Sequence, residues 1–452
     1  MSAVDAVLLL STVALAISLV AAPRLGRRAA PFVLPLLIIG GLGLWVLEGY
    51  WHWWPLYLLI ALMLAFVVTD VAGARRRVPF RIGIGVLTAV AILPWALPPQ
   101  PRLPEPTGPY AVGSEIFRWV DEQRPEPMTA ADDRRNVIVQ AWYPTEVESG
   151  RQWVYLDGHG RLPSRVSGIP GFLLSDHHVE THATADVPIS AAKDRWPVVL
   201  FSPGYGAPRA FYTGLIADLA SRGFVVLAID HPYESAVTEL ADGTIATTVE
   251  NMSADDPDGT GYMTERLETR TADLRFVLDQ LTRPELLGTL SDRVDLANLT
   301  AAGHSFGGAT ALSALSVDHR LTAAANIDGT LYGALPERSL TRPVLLIESD
   351  RAETGHSQSY LDGNRGLLER LRAPGFRYEI SEADHYSFTD VPQFLAAPAR
   401  FVVTSLVGGS RGAPDTQRLT NDILTPFLLG RHSEIAPAAT NHPGVVGGPV
   451  PR

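Results

Sequence analysis

Residues 299–309 read Leu299-Thr300-Ala301-Ala302-Gly303-His304-Ser305-Phe306-Gly307-Gly308-Ala309. The first four form a short apolar run of strand character, and Ala309–Leu315 continues as an Ala- and Leu-rich helical stretch. Between them stands Gly-x-Ser-x-Gly, the spacing of a nucleophile elbow. In such an elbow a serine occupies a sharp strand-to-helix turn, and the flanking glycines remove side chains that would collide there. The turn also puts Ser305 at a helix N-terminus, where free N–H groups and the helix dipole favour a developing oxyanion. The pentapeptide alone is common, but between a buried strand and a helix it marks Ser305 as the candidate nucleophile.

Working outward, Val198–Phe201, Val225–Ile229, Ala323–Ile327, Val344–Ile347 and Arg377–Ile380 are further strand candidates. Phe211–Ser221 and Arg270–Leu281 read as helices among them. Continuous apolar strands separated by helices predict a mostly parallel sheet covered on both faces. His385, in Glu382-Ala383-Asp384-His385-Tyr386, directly follows the last of these strands and is the candidate base. His304 is a rival, but it belongs to the elbow itself and is expected to be a packed neighbour. Two acids compete. Asp328 ends the strand after the elbow helix and Asp350 ends the next, so both project from the carboxyl edge, and spacing does not choose between them. The chain order serine, acid, histidine is that of an α/β-hydrolase fold. Phe306 N–H is the expected first oxyanion donor. Tyr205 N–H, from the turn Phe201-Ser202-Pro203-Gly204-Tyr205-Gly206, is the expected second.

Composition narrows the chemistry. The chain has 452 residues, a net charge of −11 and no cysteine, which excludes disulfides, thiolate catalysis and Cys-ligated metals. Its single lysine, Lys193, leaves little scope for P-loop or Schiff-base chemistry. Residues 1–100 carry +4, with seven arginines against Asp5, Glu48 and Asp70, so the remainder carries −15. An acidic body of that size argues against nucleic acid as a partner.

The first hundred residues hold four apolar runs, predicting spans near 4–22, 29–47, 55–72 and 80–97. None has an ionisable residue at its middle, so the region reads as an anchor. Arg24, Arg27 and Arg28 fall in the first connection, and Arg75, Arg76, Arg77 and Arg81 in the third. The positive-inside rule then places the long C-terminal portion outside the cytoplasm, as part of a multi-pass cell-membrane protein. The expected organisation is a four-helix transmembrane bundle over 1–98, a Pro-rich linker over 99–109, a catalytic domain over 110–435 and a flexible tail over 436–452.

Together, Gly108–Gly113, Val139–Pro144, the 201–206 turn, Asp230-His231, Gly303–Gly308 and Asp328 resemble the bacterial α/β-hydrolases related to plasma-type platelet-activating factor acetylhydrolase. The resemblance runs from about Gly108 to Asp390 and leaves out the N-terminal region. It implies a triad of Ser305, Asp328 and His385 with Asp328 ahead of Asp350, and an oxyanion donor at the position of Tyr205. It also implies calcium-independent hydrolysis of carboxylic esters without a cofactor, with short or oxidised acyl groups of phospholipids as substrates. The mammalian enzymes carry histidine where this chain has Pro203, a change that bears on substrate contacts. The alternatives are the same machinery working as an acyltransferase or peptidase, or a non-catalytic receptor on this fold.

Three segments stand apart. His177, His178 and His182 with Glu180 give an i, i+4 histidine pair, but without the His-Glu-x-x-His order of a zinc protease no metal is expected. Ala236–Glu250, centred on Asp242-Gly243, reads as a hairpin that could serve as a lid or as plain surface. Asp255-Asp256-Pro257-Asp258 reads as a solvated turn.

Overall fold

A computed structural model describes residues 3–47, 54–71, 77–96, 103–129, 132–158, 160–163, 165–166, 169–170, 179–249, 259–394 and 409–451. The chain divides into two compact units, 1–101 with 394–402, and 102–393 with 403–452.

The first unit contains four helices, α1 (Ala3–Ala21), α2 (Pro23–Leu47), α3 (Trp54–Val71) and α4 (Arg77–Ala96). They follow the four apolar runs closely, with two shifts, the smaller at α4, which begins at Arg77 and so takes in Arg77 and Arg81 of the expected third connection. Helix α2 begins at Pro23, so Arg24, Arg27 and Arg28 lie in its first two turns rather than in a loop. Pro31 and Pro35 therefore fall inside the helix. Leu19, Leu34, Leu59, Met63 and Ile84 pack in the middle of the unit. Leu10, Phe32, Leu36 and Ile39 point outward, Phe32 with 77% of its surface exposed. Among the described residues one helix segment, Pro23–Leu42, is long and apolar enough to cross a membrane; Leu8–Ala21, Leu56–Val68 and Arg81–Val90 are shorter. Four full spans are thus more than the described helices meet by length and composition.

The second unit is built on a ten-stranded sheet. Its strands are β1 (Ala111–Pro125), β2 (Arg134–Thr145), β3 (Ala183–Ala185), β4 (Trp196–Ser202), β5 (Val225–Asp230), β6 (Val294–His304), β7 (Leu321–Ile327), β8 (Val344–Ser349), β9 (Gly375–Ile380) and β10 (Val445–Pro449). They lie in the order β10-β9-β8-β7-β6-β4-β5-β2-β1-β3. The six from β9 to β5 are parallel, while β2 runs antiparallel to β5 and β10 antiparallel to β9. Helices α5 (Thr213–Ser221), α6 (Thr260–Gln280), α7 (Phe306–Val317), α8 (Gln358–Arg370), α9 (Ala413–Leu428) and α10 (His432–Thr440) cover it. The period-2 side-chain alternation of a strand sorts each strand between two cores. Val198 and Leu200 join the layer under α6 and α7, whereas Val199 and Phe201 join the layer under α5 and α9. A parallel sheet buried on both faces explains why these strands read as unbroken apolar runs.

Both ends of this unit extend past their expected limits. Thr107 N–H donates to Asp218 at 2.7 Å and Gly108 N–H to Ser221 at 2.9 Å, so the Pro-rich bridge is docked on α5 before residue 110. Residues 436–452 are not a free tail: α10 runs through Thr440 and β10 pairs with β9. Composition hid this because an edge strand can be held by main-chain hydrogen bonds alone, which Gly and Val supply as well as any residue. The hairpin forms as expected, Thr238–Glu239 against Ile245–Ala246. Its carbonyl at Glu239 binds Arg118 and its Gly243 carbonyl binds Arg161. None of its described residues lines the cleft described below.

Candidate active site

The elbow forms where the sequence placed it. Strand β6 ends at His304, α7 begins at Phe306, and Ser305 between them is held at φ 56°, ψ −126°, a strained conformation for a residue with a Cβ. Glycine is required beneath it, because a Cβ on Gly307 would run into the Ser202 carbonyl oxygen. Ser305 N–H is spent on the Ile327 carbonyl at 2.8 Å, which fixes the turn against β7.

Ser305 Oγ lies 3.0 Å from His385 Nε2, and His385 Nδ1 lies 2.7 Å from Asp328 Oδ2. A carboxylate accepting from Nδ1–H leaves the Nε2 lone pair free to receive the serine proton. His385 opens a short turn, His385–Phe388, capped by Asp384, whose side chain accepts from Tyr386 and Ser387 N–H while Ser387 Oγ accepts from Asp384 N–H. The geometry also separates the two acids. Asp328 is buried and reaches the imidazole, whereas Asp350 caps the turn Arg351–Thr354 and accepts from Glu382 N–H at 2.7 Å. Asp350 thus supports the loop leading to His385 without touching its ring.

Asp328 has donors that the sequence did not reveal. Its Oδ1 accepts from Ser349 N–H at 2.9 Å, from His356 Nε2 at 2.9 Å and from Tyr360 OH at 3.2 Å, and its Oδ2 from Ser349 Oγ at 2.9 Å. Burial alone would raise this carboxyl, but hydrogen bonds from His356 and His385 hold it well below the usual carboxylate range. The His356 ring stacks flat on Tyr360, with centroids 4.0 Å apart. Ser349 precedes Asp350 in the sequence, and a serine beside a strand-end carboxylate carries no signal of its own. His356 carried no local signal at all.

His304 is the packed neighbour it was expected to be. Its Nδ1 contacts Tyr212 OH and its Nε2 the His385 carbonyl, both at 2.8 Å, while its ring lies 4.5 Å from that of His385. Burial pushes its pKa down to about 3, and it packs behind the His385 ring.

Tyr205 and Phe306 border the same cleft of about 320 Å³ that contains Ser305 and His385. Phe306 N–H belongs to the first turn of α7. Gly204 abuts the elbow so closely that a Cβ on it would lie 3.3 Å from Ser305 Cβ. One side of the cleft is apolar, formed by Tyr205, Met263, Phe306 and Tyr332, while Thr330, Thr354, Ser357 and His356 add polar groups. A larger open groove of about 590 Å³, by Arg365 and Arg377, contains none of these groups. Neither does a second Ser–His–Asp chain, Ser202 Oγ to His231 Nε2 at 3.0 Å and His231 Nδ1 to Asp273 at 2.8 Å. All three of its side chains are fully buried, and burial drives the His231 pKa down to about 3, so that chain is a structural brace.

Among the described residues no group of three metal-binding side chains occurs. His182 contacts the Leu103 carbonyl at 3.1 Å, while His177, His178 and Asp255–Asp258 lie outside the described residues.

The sequence model of the family platelet-activating factor acetylhydrolase, isoform II, matches residues 96–254 and 261–361, a stretch that contains Tyr205, Ser305, Phe306 and Asp328 but ends before His385. A probable 1-alkyl-2-acetylglycerophosphocholine esterase of Arthroderma benhamiae is 26% identical over 338 residues, covering 67% of this chain and 79% of that protein. The platelet-activating factor acetylhydrolase of Canis lupus familiaris is 27% identical over 291 residues, 56% of this chain and 61% of that protein. Among solved structures, a ferulic acid esterase from Streptomyces cinnamoneus superposes with a TM-score of 0.65 at 28% identity, covering 77% of this chain and 99% of its own. More than half of the chain thus matches one family, on a fold shared with a solved esterase, and the chain belongs to the platelet-activating factor acetylhydrolase isoform II family of ester hydrolases.

Proposed function

We propose that Ser305, His385 and Asp328 are the catalytic triad of a serine carboxylic ester hydrolase. The observation that carries this reading is the continuous chain from Ser305 Oγ through His385 to Asp328, at 3.0 and 2.7 Å, with the serine on a strained elbow. Ser305 Oγ attacks the ester carbonyl carbon as its proton passes to His385 Nε2. The imidazolium so formed is stabilised by Asp328, and the carbonyl oxygen, now an oxyanion, accepts from Phe306 and Tyr205 N–H. Collapse breaks the bond to the alkoxy oxygen, which takes the proton from His385 and leaves. Water then attacks the acyl carbon as it loses a proton to His385 Nε2, and collapse breaks the bond to Ser305 Oγ, which takes that proton back from His385 as the carboxylic acid leaves.

The substrate reading is a short-acyl or lipid-like ester. A cleft of about 320 Å³ with Tyr205, Met263, Phe306 and Tyr332 on its walls, and no lysine or arginine among its described lining residues, suits a compact uncharged acyl group beside Ser305. The relatives named for acetylated glycerophosphocholine esters support the same class. The outward apolar side chains of α1–α4 support a membrane anchor.

The test is hydrolysis of p-nitrophenyl esters of graded chain length by the full chain. Acetate and butyrate are expected to give the highest kcat/KM, falling at least tenfold by laurate. A maximum at laurate would contradict the short-acyl reading, and absence of hydrolysis across the series would sink the esterase mechanism.

A further inference from the structure

Arg270 lies in no sequence motif, yet its guanidinium is completely buried and aimed at the turn that bears Tyr205. From the middle of α6 its Nη1 donates to the Pro203 carbonyl at 2.6 Å and its Nη2 approaches the Gly204 carbonyl at 3.4 Å. Its Nε donates to Glu234 at 2.7 Å, and its charge centre sits 4.8 Å over the Phe306 ring. A buried arginine with two donors on consecutive carbonyls is costly unless fully paired, and here it is paired with a buried carboxylate.

The consequence follows from the planarity of the peptide. In a trans peptide the C=O and N–H point in opposite directions. The Pro203–Gly204 peptide illustrates it: the carbonyl goes to Arg270 and the N–H goes the other way, to Tyr212 OH at 2.9 Å. The next carbonyl, that of Gly204, is held by Arg270 together with Ala207 N–H at 3.2 Å, which turns the following N–H away from Arg270 in the same manner, and that N–H belongs to Tyr205. The far end of the peptide chain is tied as well, since Tyr212 OH also contacts His304, which contacts the His385 carbonyl. One residue back, Ser202 is anchored on His231 and through it on Asp273 and the buried Arg135.

We infer that Arg270, braced by Glu234, is a positioning residue that sets the direction of the Tyr205 N–H and so pre-forms half of the oxyanion hole. This rests on the reading of Ser305 as nucleophile and of Tyr205 N–H as oxyanion donor. Arg270 does not act as a bare charge on the oxyanion, because Glu234 balances it at 2.7 Å. Its contribution is orientation, realised in the transition state and not in ground-state binding.

The test uses the full-length protein, p-nitrophenyl butyrate and an aryl trifluoromethyl ketone that forms a tetrahedral adduct on an activated serine. Arg270→Lys keeps the charge but has one donor centre and no planar fork. The pair Arg270→Met with Glu234→Gln removes both charges without stranding the carboxylate. With one oxyanion donor misdirected, kcat is expected to fall about 100-fold in the double variant. About tenfold is expected in Arg270→Lys, with KM within threefold in both. The inhibition constant of the ketone should rise by the same factor as kcat/KM falls, and the pH midpoint of kcat/KM should not move. If the double variant does not fold, Arg270→Lys decides. Wild-type kcat and ketone affinity in folded Arg270→Lys would overturn the inference, as would a loss carried by KM with the ketone unaffected. Ser305→Ala, run alongside, separates the two levels. An inactive Ser305→Ala with a fully active Arg270→Lys removes only the role of Arg270. An active Ser305→Ala removes the triad reading and the inference with it.

Discussion

Asp328 is the side chain on which the proposed chemistry turns. It sits at φ 54° in the left-handed region, fully buried, with hydrogen bonds on both oxygens and no arginine or lysine among its partners. Its negative charge is therefore held by dipoles and imidazoles rather than by an ion pair, which lets it stabilise an imidazolium at His385 without competition from a fixed cation. Asp328→Asn is expected to lower kcat by about 10⁴-fold on p-nitrophenyl butyrate, because the amide cannot hold the same histidine tautomer. Asp350→Ala is expected to leave kcat within about threefold of wild type while costing roughly 1 kcal/mol of stability, as the loss of a capping side chain does. Steady-state kinetics and urea denaturation of the two variants check both statements. Equal losses of kcat would return Asp350 to the active site. The sequence could not separate these acids because both end adjacent parallel strands at the same sheet edge, and the choice is made by contacts between residues 57 apart in the chain.

At the scale of elements, the buried carboxylates of the α/β unit divide by the sign of their response to pH. Asp273, held down by Arg135 and His231 against the cost of its burial, has a pKa well below the ordinary value. Its contribution to stability is present above the unfolded value near about 4 and is lost as pH falls through the folded one. Asp390 is the reverse. Burial pushes its pKa up to about 7, and its partners Tyr155, Gln417 and Gly214 only partly offset this. The folded state therefore binds more protons than the unfolded chain between pH 4 and 7, and Asp390 costs stability as pH rises through that window. The difference in melting temperature between Asp390→Asn and wild type is expected to shift in favour of the variant from pH 5 to pH 8. A shift the other way in calorimetry would show that Asp390 is ionised in the fold. The elbow makes a steric prediction of the same kind. Gly307→Ala should cost about 3 kcal/mol or leave the protein unfolded, since β4 and α7 would have to separate to admit the methyl group. This element was fully legible, because strand, turn and helix are contiguous in sequence. The network behind it was not, because Arg270, Glu234, Tyr212 and His356 are brought together only by the sheet, and none lies in a recognisable motif.

For the whole molecule, the division into an apolar helical unit and an acidic α/β unit was visible in composition, but its edges were not. The bridge before residue 110 and the segment after 435 look like spacers because they are rich in Pro, Gly and Ala. Both are nevertheless held by hydrogen bonds to α5 and β9 that no local pattern announces. The helical unit exposes Leu10, Phe32, Leu36 and Ile39, an unfavourable arrangement in water at about 25 cal/mol per Å² of apolar surface. The protein is therefore expected to remain with the membrane fraction after an alkaline carbonate wash and to leave it only with detergent. Recovery in the carbonate supernatant would contradict the anchor.

The central claim is that Ser305 is an activated nucleophile served by His385. Membranes containing the wild-type chain, Ser305→Ala or His385→Ala should be treated with a fluorophosphonate probe and the adduct mapped by mass spectrometry. The account predicts one adduct, on Ser305, in wild type and no adduct in either variant. Labelling that persists in folded Ser305→Ala, or a folded wild type that takes no label, would contradict it.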